Sequence, residues 1–235
     1  VNKLCQGKDF VFHLAAIASV PVSVKDPLKV HDVNATGTLN VLLAAREAKV
    51  KRVIYSSTAA VYGDEPTLPK KETSTIKPLS PYALSKFTGE RYSIMFTSLY
   101  GLPTTCLRYF NVYGPRQDPK SPYSGVISKF IDLVKHNQAP TIFGDGLQTR
   151  DFIFVKDVAL ANLQAMSANI NGVFNIATGS QTNLLDLFKT IKDVYKSGLS
   201  PVFAPSQPGD IEHSVADILS ARKEKPIETI SELKN

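Results

Sequence analysis

The chain has no run approaching the ~20 consecutive apolar residues that a membrane helix needs, so a spanning segment is not expected and a membrane partner is set aside. Cysteine is scarce. Cys5 and Cys106 stand alone with no C-x-x-C pairing, which excludes a disulfide framework and suggests a reducing, cytoplasmic setting. The histidines, His13, His31, His136 and His213, lie far apart and none falls in H-E-x-x-H, so no metal site is expected. Internal repeats and low-complexity tracts are missing too. Basic residues exceed acidic ones, giving a net charge of +6, but they are spread along the chain without the clustered stripe of a nucleic-acid binder. No nucleic-acid partner is expected; an anionic small molecule would be favoured. A further absence concerns glycine. Dinucleotide-binding folds open with a strand, a glycine-rich turn and a helix that cradle a pyrophosphate, and no glycine cluster of that kind occurs near Val1. Either no dinucleotide is used or that unit is missing. The first residues carry neither an initiator methionine nor a signal sequence, so the expectation is a fragment of a longer protein.

What is present reads as an ordinary globular chain, 43% hydrophobic and 20% charged, long enough to bury a substantial core. "FVFHLAA" (10–16), "RVIYSS" (52–57) and "TTCLRYF" (104–110) are short apolar runs suited to strands buried on both faces. Helical spacing marks 34–50 and 82–100, the latter with Ser80 as a cap and Pro81 in its first turn. The Pro-, Thr- and Lys-rich stretch 63–81 reads as a long surface loop. Strands alternating with helices at this spacing indicate βαβ units and a doubly wound parallel sheet of α/β class. Beyond 114 the rhythm loosens: helices are expected at 125–138, 156–168 and 182–196, and strands at 141–146, 150–155 and 172–177, as in a smaller α/β lobe.

"SPYALSK" (80–86) places Tyr82 one helical turn before Lys86, so both side chains leave the same face. A phenol with a pKa of about 10 is a poor base at neutral pH, but a nearby ammonium favours the phenolate. The pair can thus make a general base, or it can be an ordinary aromatic and an ordinary charge. Ser56, Ser57 and Thr58 end one strand and Asn111 follows another, at the carboxyl edge where such sheets bind ligands.

Together with "HLAA", "NATGTLNVL", "YSSTAAVYG", "RYFNVYGPRQDP", "GDGLQTRDFIFVKDVA", "NIATG" and "QPGDIEHSVADI", these segments resemble, in order and from about residue 10 to 222, the extended short-chain dehydrogenase/reductase family, in particular its nucleotide-sugar 4-epimerases. The resemblance implies a Rossmann-type sheet lacking its N-terminal βαβ units. On that reading residues 1–115 form a partial NAD-binding domain, and 116–235 form mainly a substrate-binding lobe, with about 150–180 returning to the sheet. It also implies Thr58, Tyr82 and Lys86 as catalytic residues. Ala15, Ala16, Asn34, Ser56, Tyr109, Tyr82 and Lys86 would contact NAD. Thr58, Tyr82, Asn111, Arg150, Gln207 and Ser214 would contact a nucleotide sugar, most readily a UDP-sugar. Gln207 stands where family members usually carry arginine, which removes one guanidinium from the phosphate grip. Helices 34–50 and 82–100 would pair with a second copy, as in family dimers.

Among the family's reactions, 4,6-dehydration needs an extra acid and base directly after the catalytic hydroxyl, and this chain has Ala59 and Ala60 there. A methyl group moves no proton, which disfavours dehydration and decarboxylation and leaves 4-epimerisation. Ser214 takes the place of a bulky tyrosine that walls the sugar pocket in some of these epimerases, so UDP-N-acetylhexosamines are expected alongside UDP-hexoses. The alternatives are an NAD(P)-dependent reductase or another epimerase of the same family, and a non-catalytic dinucleotide-sensing relative. Without a glycine turn, the isolated stretch is expected to be inactive and poorly folded.

Overall fold

A computed structural model of the chain describes residues 1–121, 124–168, 170–206 and 211–223. In chain order the regular elements are α1 (Asn2–Cys5), β1 (Phe10–His13), α2 (Val20–Lys25), α3 (Pro27–His31), α4 (Gly37–Glu47), β2 (Arg52–Thr58), α5 (Pro81–Tyr100), β3 (Thr104–Tyr109), β4 (Asn111–Tyr113) and α6 (Val126–Lys135). They continue with β5 (Thr141–Phe143), β6 (Thr149–Arg150), β7 (Phe152–Phe154), α7 (Val155–Ser167), β8 (Gly172–Ile176), β9 (Thr182–Asn183), α8 (Leu184–Tyr195), β10 (Val202–Ala204) and α9 (Leu219–Lys223).

The main sheet is parallel, in the order β1-β2-β3-β8. Its middle strands are apolar on both sides because both faces are covered. Neighbours in β2 point to opposite faces: Val53 packs with Leu42, Ala45 and Phe96 of α4 and α5, whereas Ile54 packs with Val158, Ala161 and Ala165 of α7. A Rossmann-type α/β sheet is therefore present, with α7 and β8 built into it. A separate cluster of Phe130, Ile142, Leu187, Phe188 and Ile191 holds α6, β5 and α8 together beside it.

The helix that carries Tyr82 starts and stops for local reasons. The Ser80 hydroxyl accepts from the Ala83 amide at 3.2 Å, Pro81 occupies the first turn, and Gly101 ends the helix at φ 67°. Residues 17–33, between the expected strand at 10–16 and the expected helix at 34–50, contain α2 and α3. Each begins with a side-chain cap, Ser19 or Asp26, and a proline in its first turn, so prolines that read as loop signals are helix starts here. The 63–81 stretch is irregular as expected but is not simply a surface loop. The Lys70 amide donates to Val215 O at 2.8 Å, and its buried ammonium is paired with Glu65 at 2.7 Å. The strand expected over 150–155 is split into β6 and β7, because Asp151 turns its carboxylate fully inward.

β1 lies at the edge of the sheet and pairs with β2 alone among the described strands. Phe12, in register with Ile54, is 38% exposed, and Leu14 just beyond the strand is 59% exposed. This corner of the sheet is open, with its ladder groups and apolar side chains uncovered.

Candidate active site

The carboxyl ends of β2 and β3, the first turn of α5 and the β6–β7 segment converge on a cavity of about 900 Å³. Thr58, Tyr82, Tyr109, Asn111 and Arg150 all line it. A volume of this size suits a drug-sized or larger ligand. Thr58 leaves β2 in extended geometry, and its hydroxyl accepts from the Ala60 amide at 3.2 Å, capping the short turn that follows. The same hydroxyl acts on the Tyr82 phenol, which lines the cavity with it, and favours its ionised form. Sequence spacing could not reveal that proximity; it arises because β2 ends level with the start of α5.

Electrostatics at the pair differ from the expectation. Burial pushes the Tyr82 phenol above its ordinary value, and the nearby Thr58 hydroxyl opposes that rise. The Lys86 ammonium does not lie against the phenol but over the ring of Tyr55, 4.4 Å from its centroid. Lys86 is buried, which lowers its pKa to about 8. Among the described residues no carboxylate pairs with it. An ammonium held near such a site and free of an anion can meet an incoming hydroxyl or anionic group.

The residues assigned to a cofactor fall into two groups. Asn34 is buried within a π-helical turn, Asp32–Thr36, and all its polar atoms are engaged. Its Oδ1 accepts from the Ile17 amide at 2.8 Å, and its Nδ2 donates to Ile17 O at 3.1 Å and Ser85 Oγ at 3.0 Å. It ties the loop after β1 to α5. Ser56 and Tyr109 share a hydrogen bond of 3.1 Å, and Tyr109 also bonds Asn162. These three shape the floor through one another. Ala15 and Ala16, by contrast, follow β1 with no side chain beyond Cβ, Ala15 exposed and Ala16 half-buried, leaving the backbone approachable.

On the opposite wall, both the amide and Nδ2 of Asn111 donate to Asp151 O, at 3.0 and 3.3 Å. Asp151 was missed by sequence reasoning. Its carboxylate accepts from Thr178 N, Thr178 Oγ1, Gly179 N and Ala216 N at 2.7–3.2 Å, binding three segments together directly behind Arg150. Arg150 itself donates to Thr149 O and Glu212 O, at 2.9 and 3.4 Å. Also unforeseen are Arg116 and Lys129, two exposed cations that line the cavity. Arg116 sits inside the quoted "GPRQDP", so the signal was available. Ser214 is half-buried, its amide donating to Thr149 O at 3.1 Å, and it is not one of the cavity-lining residues described. Gln207 lies outside the described residues. No helix among those residues is long and apolar enough to cross a membrane.

A parallel sheet whose carboxyl edge presents a threonine hydroxyl, a helix-borne Tyr–Lys pair and a cationic far wall defines an enzyme of the Rossmann-type dehydrogenase class. The model of the NAD dependent epimerase/dehydratase family matches residues 1–177, and the chain belongs to that family. A putative UDP-glucose 4-epimerase of Methanocaldococcus jannaschii is 43% identical over 214 residues, covering 91% of this chain and 70% of the relative. The solved UDP-N-acetylglucosamine 4-epimerase of Methanobrevibacter ruminantium M1, in complex with UDP-N-acetylmuramic acid, superposes with a TM-score of 0.93 at 45% identity, covering 95% of this chain and 72% of that one. A UDP-glucose 4-epimerase of Thermotoga maritima with UDP-glucose gives a TM-score of 0.88 at 41% identity, over 91% and 69%. The Thermus thermophilus UDP-glucose 4-epimerase, solved with NAD, gives 0.83 at 37% identity, over 91% and 70%.

Proposed function

We propose that this chain carries the catalytic machinery of an NAD-dependent nucleotide-sugar 4-epimerase acting on UDP-hexoses and UDP-N-acetylhexosamines. The observation that carries the reading is that Thr58 and Tyr82 line one cavity, with Ala59 and Ala60 directly after Thr58. The site has a hydroxyl and a phenol to exchange a proton with a sugar hydroxyl, and no carboxyl group at the two positions where elimination would need one.

The residues present fit NAD in part. Lys86 offers an ammonium with no anion, and Ala15 and Ala16 offer open backbone. A glycine turn for the pyrophosphate is not among the 235 residues. We infer that a strand–glycine turn–helix unit completes the cofactor site by pairing with the open edge of β1 and covering Phe12 and Leu14. When bound, NAD supplies the acceptor and donor of the C4 hydride. Tyr82 takes the C4 hydroxyl proton as the alcohol becomes a ketone, and returns it after the ketone has presented its other face. Thr58 holds the reacting oxygen beside the phenol. Asn111 and Arg150, with Arg116 and Lys129 nearby, hold the diphosphate, and guanidinium suits that task. Anchoring through the nucleotide leaves the hexose free to turn.

The N-acetyl reading rests on the small side chain of Ser214 at the position that resembles the family's sugar-pocket wall. Equal concentrations of UDP-glucose and UDP-N-acetylglucosamine, each with NAD and no NADH, test it; turnover of UDP-glucose alone refutes the N-acetyl part. We also infer pairing of two copies through α4 and α5. Leu84, Met95 and Leu99 lie on one stripe of α5, and all three are exposed. Leu99→Glu should convert a dimer to a monomer in light scattering, and an unchanged mass refutes the pairing.

A further inference from the structure

Gly89 stands in the middle of α5, where glycine is the least favourable residue after proline. Its neighbour explains it. A Cβ at this position would fall 2.4 Å from the Tyr55 hydroxyl oxygen and 2.8 Å from Cζ of the same ring. The fully buried phenol of Tyr55 therefore passes beneath the helix through the gap that glycine leaves. There its hydroxyl donates to the Lys86 carbonyl oxygen at 3.0 Å, and its ring face lies 4.4 Å from the Lys86 ammonium. His13 leans on the same ring, with centroids 5.7 Å apart, and its Nε2 is 2.9 Å from Thr38 Oγ1. A buried ammonium with no carboxylate partner needs compensation, and the negative face of an aromatic ring provides it.

We propose that Tyr55 is a positioning residue for Lys86: its hydroxyl fixes the turn of α5 that bears the lysine, and its ring seats the ammonium until a ligand hydroxyl arrives. An acidic partner would hold the lysine too firmly and cancel its charge. A ring face holds it loosely and leaves the charge available. The proposal deepens the epimerase reading and rests on Lys86 belonging to that site.

The test uses the full-length protein with ¹³C-labelled lysine ε-carbons, the Lys86 signal being assigned with Lys86→Arg. The ε-methylene protons of Lys86 should be shifted upfield by the Tyr55 ring. Tyr55→Phe should keep that shift, Tyr55→Leu should abolish it, and Gly89→Ala, which displaces the phenol, should reduce it. In turnover, Tyr55→Leu should lower kcat roughly ten- to hundredfold at unchanged KM, with Tyr55→Phe recovering most of the loss. A Lys86 signal at the ordinary lysine position in the unsubstituted chain overturns the proposal. So does a folded Tyr55→Leu that keeps the shift or the full kcat. If Tyr55→Leu does not fold, the unsubstituted chain and Gly89→Ala decide. The spectroscopic arm needs neither NAD nor turnover, so an intact ring shift without product counts against the epimerase reading and not against the seat.

Discussion

Thr58 at the end of β2 and Tyr82 in the first turn of α5 line the same cavity, although 24 positions separate them in the sequence. If Tyr82 is the proton acceptor, Tyr82→Phe should lower kcat about 10²- to 10⁴-fold while UDP binding stays unchanged. Thr58→Ala removes only the orienting hydroxyl and should cost less. Steady-state kinetics with calorimetric UDP titration separates the two quantities. Because burial raises the phenol's pKa, kcat should climb with pH on its acid side.

Asp151 should act on ligand affinity from a distance. Its four accepted hydrogen bonds hold the segment that places Asn111 and Arg150. Asp151→Ala leaves buried amides unpaired, at about 1–3 kcal/mol for each donor so exposed. The expected outcome is a lower unfolding midpoint and weaker UDP binding together. Arg150→Ala should weaken UDP binding at an unchanged midpoint.

Glu90 and Arg108 form a buried ion pair of 2.6 Å below Ser57, whose hydroxyl donates to the same carboxylate at 2.9 Å. Removing one partner strands a buried charge, so Glu90→Ala should cost about 3–5 kcal/mol in urea unfolding. The double variant with Arg108→Leu should cost clearly less than the two single losses combined.

The general architecture was legible in the sequence because β-branched runs such as "RVIYSS" and caps such as Ser80-Pro81 act locally. α2 and α3 were not, since a proline that starts a helix and one that breaks a loop look alike until the preceding Ser19 or Asp26 is seen to cap. At the site, the identities of Thr58, Tyr82, Asn111 and Arg150 were readable, but their electrostatics were not. The expectation that Lys86 lowers the Tyr82 pKa came from their spacing on one helix face. The ring of Tyr55, three residues before Thr58, takes the Lys86 ammonium instead. Asp151 stayed hidden because a carboxylate buried among backbone amides has no sequence signature.

His13 should make the fold sensitive to acid. Burial first, and the neighbouring Lys86 charge second, pull its pKa down from 6.5 to about 4, beside the ring of Tyr55. The unfolded chain therefore binds the proton more readily than the native one between those values. Stability from this group is complete above about pH 6.5 and is lost as pH falls towards 4, by roughly 3 kcal/mol in all. Urea midpoints at pH 7.5 and 4.5 should fall further for the native sequence than for His13→Gln. Equal falls in the two proteins would show that His13 carries no such linkage.

The central claim is tested most directly by ¹H NMR of UDP-glucose and of UDP-N-acetylglucosamine incubated with NAD and the full-length protein. The account predicts that the C4 epimer of each appears and approaches a fixed ratio, with no net NADH formed or consumed and no product from Tyr82→Phe. Accumulation of a 4-keto-6-deoxy sugar, conversion that consumes NADH, or unaltered turnover by Tyr82→Phe would contradict it.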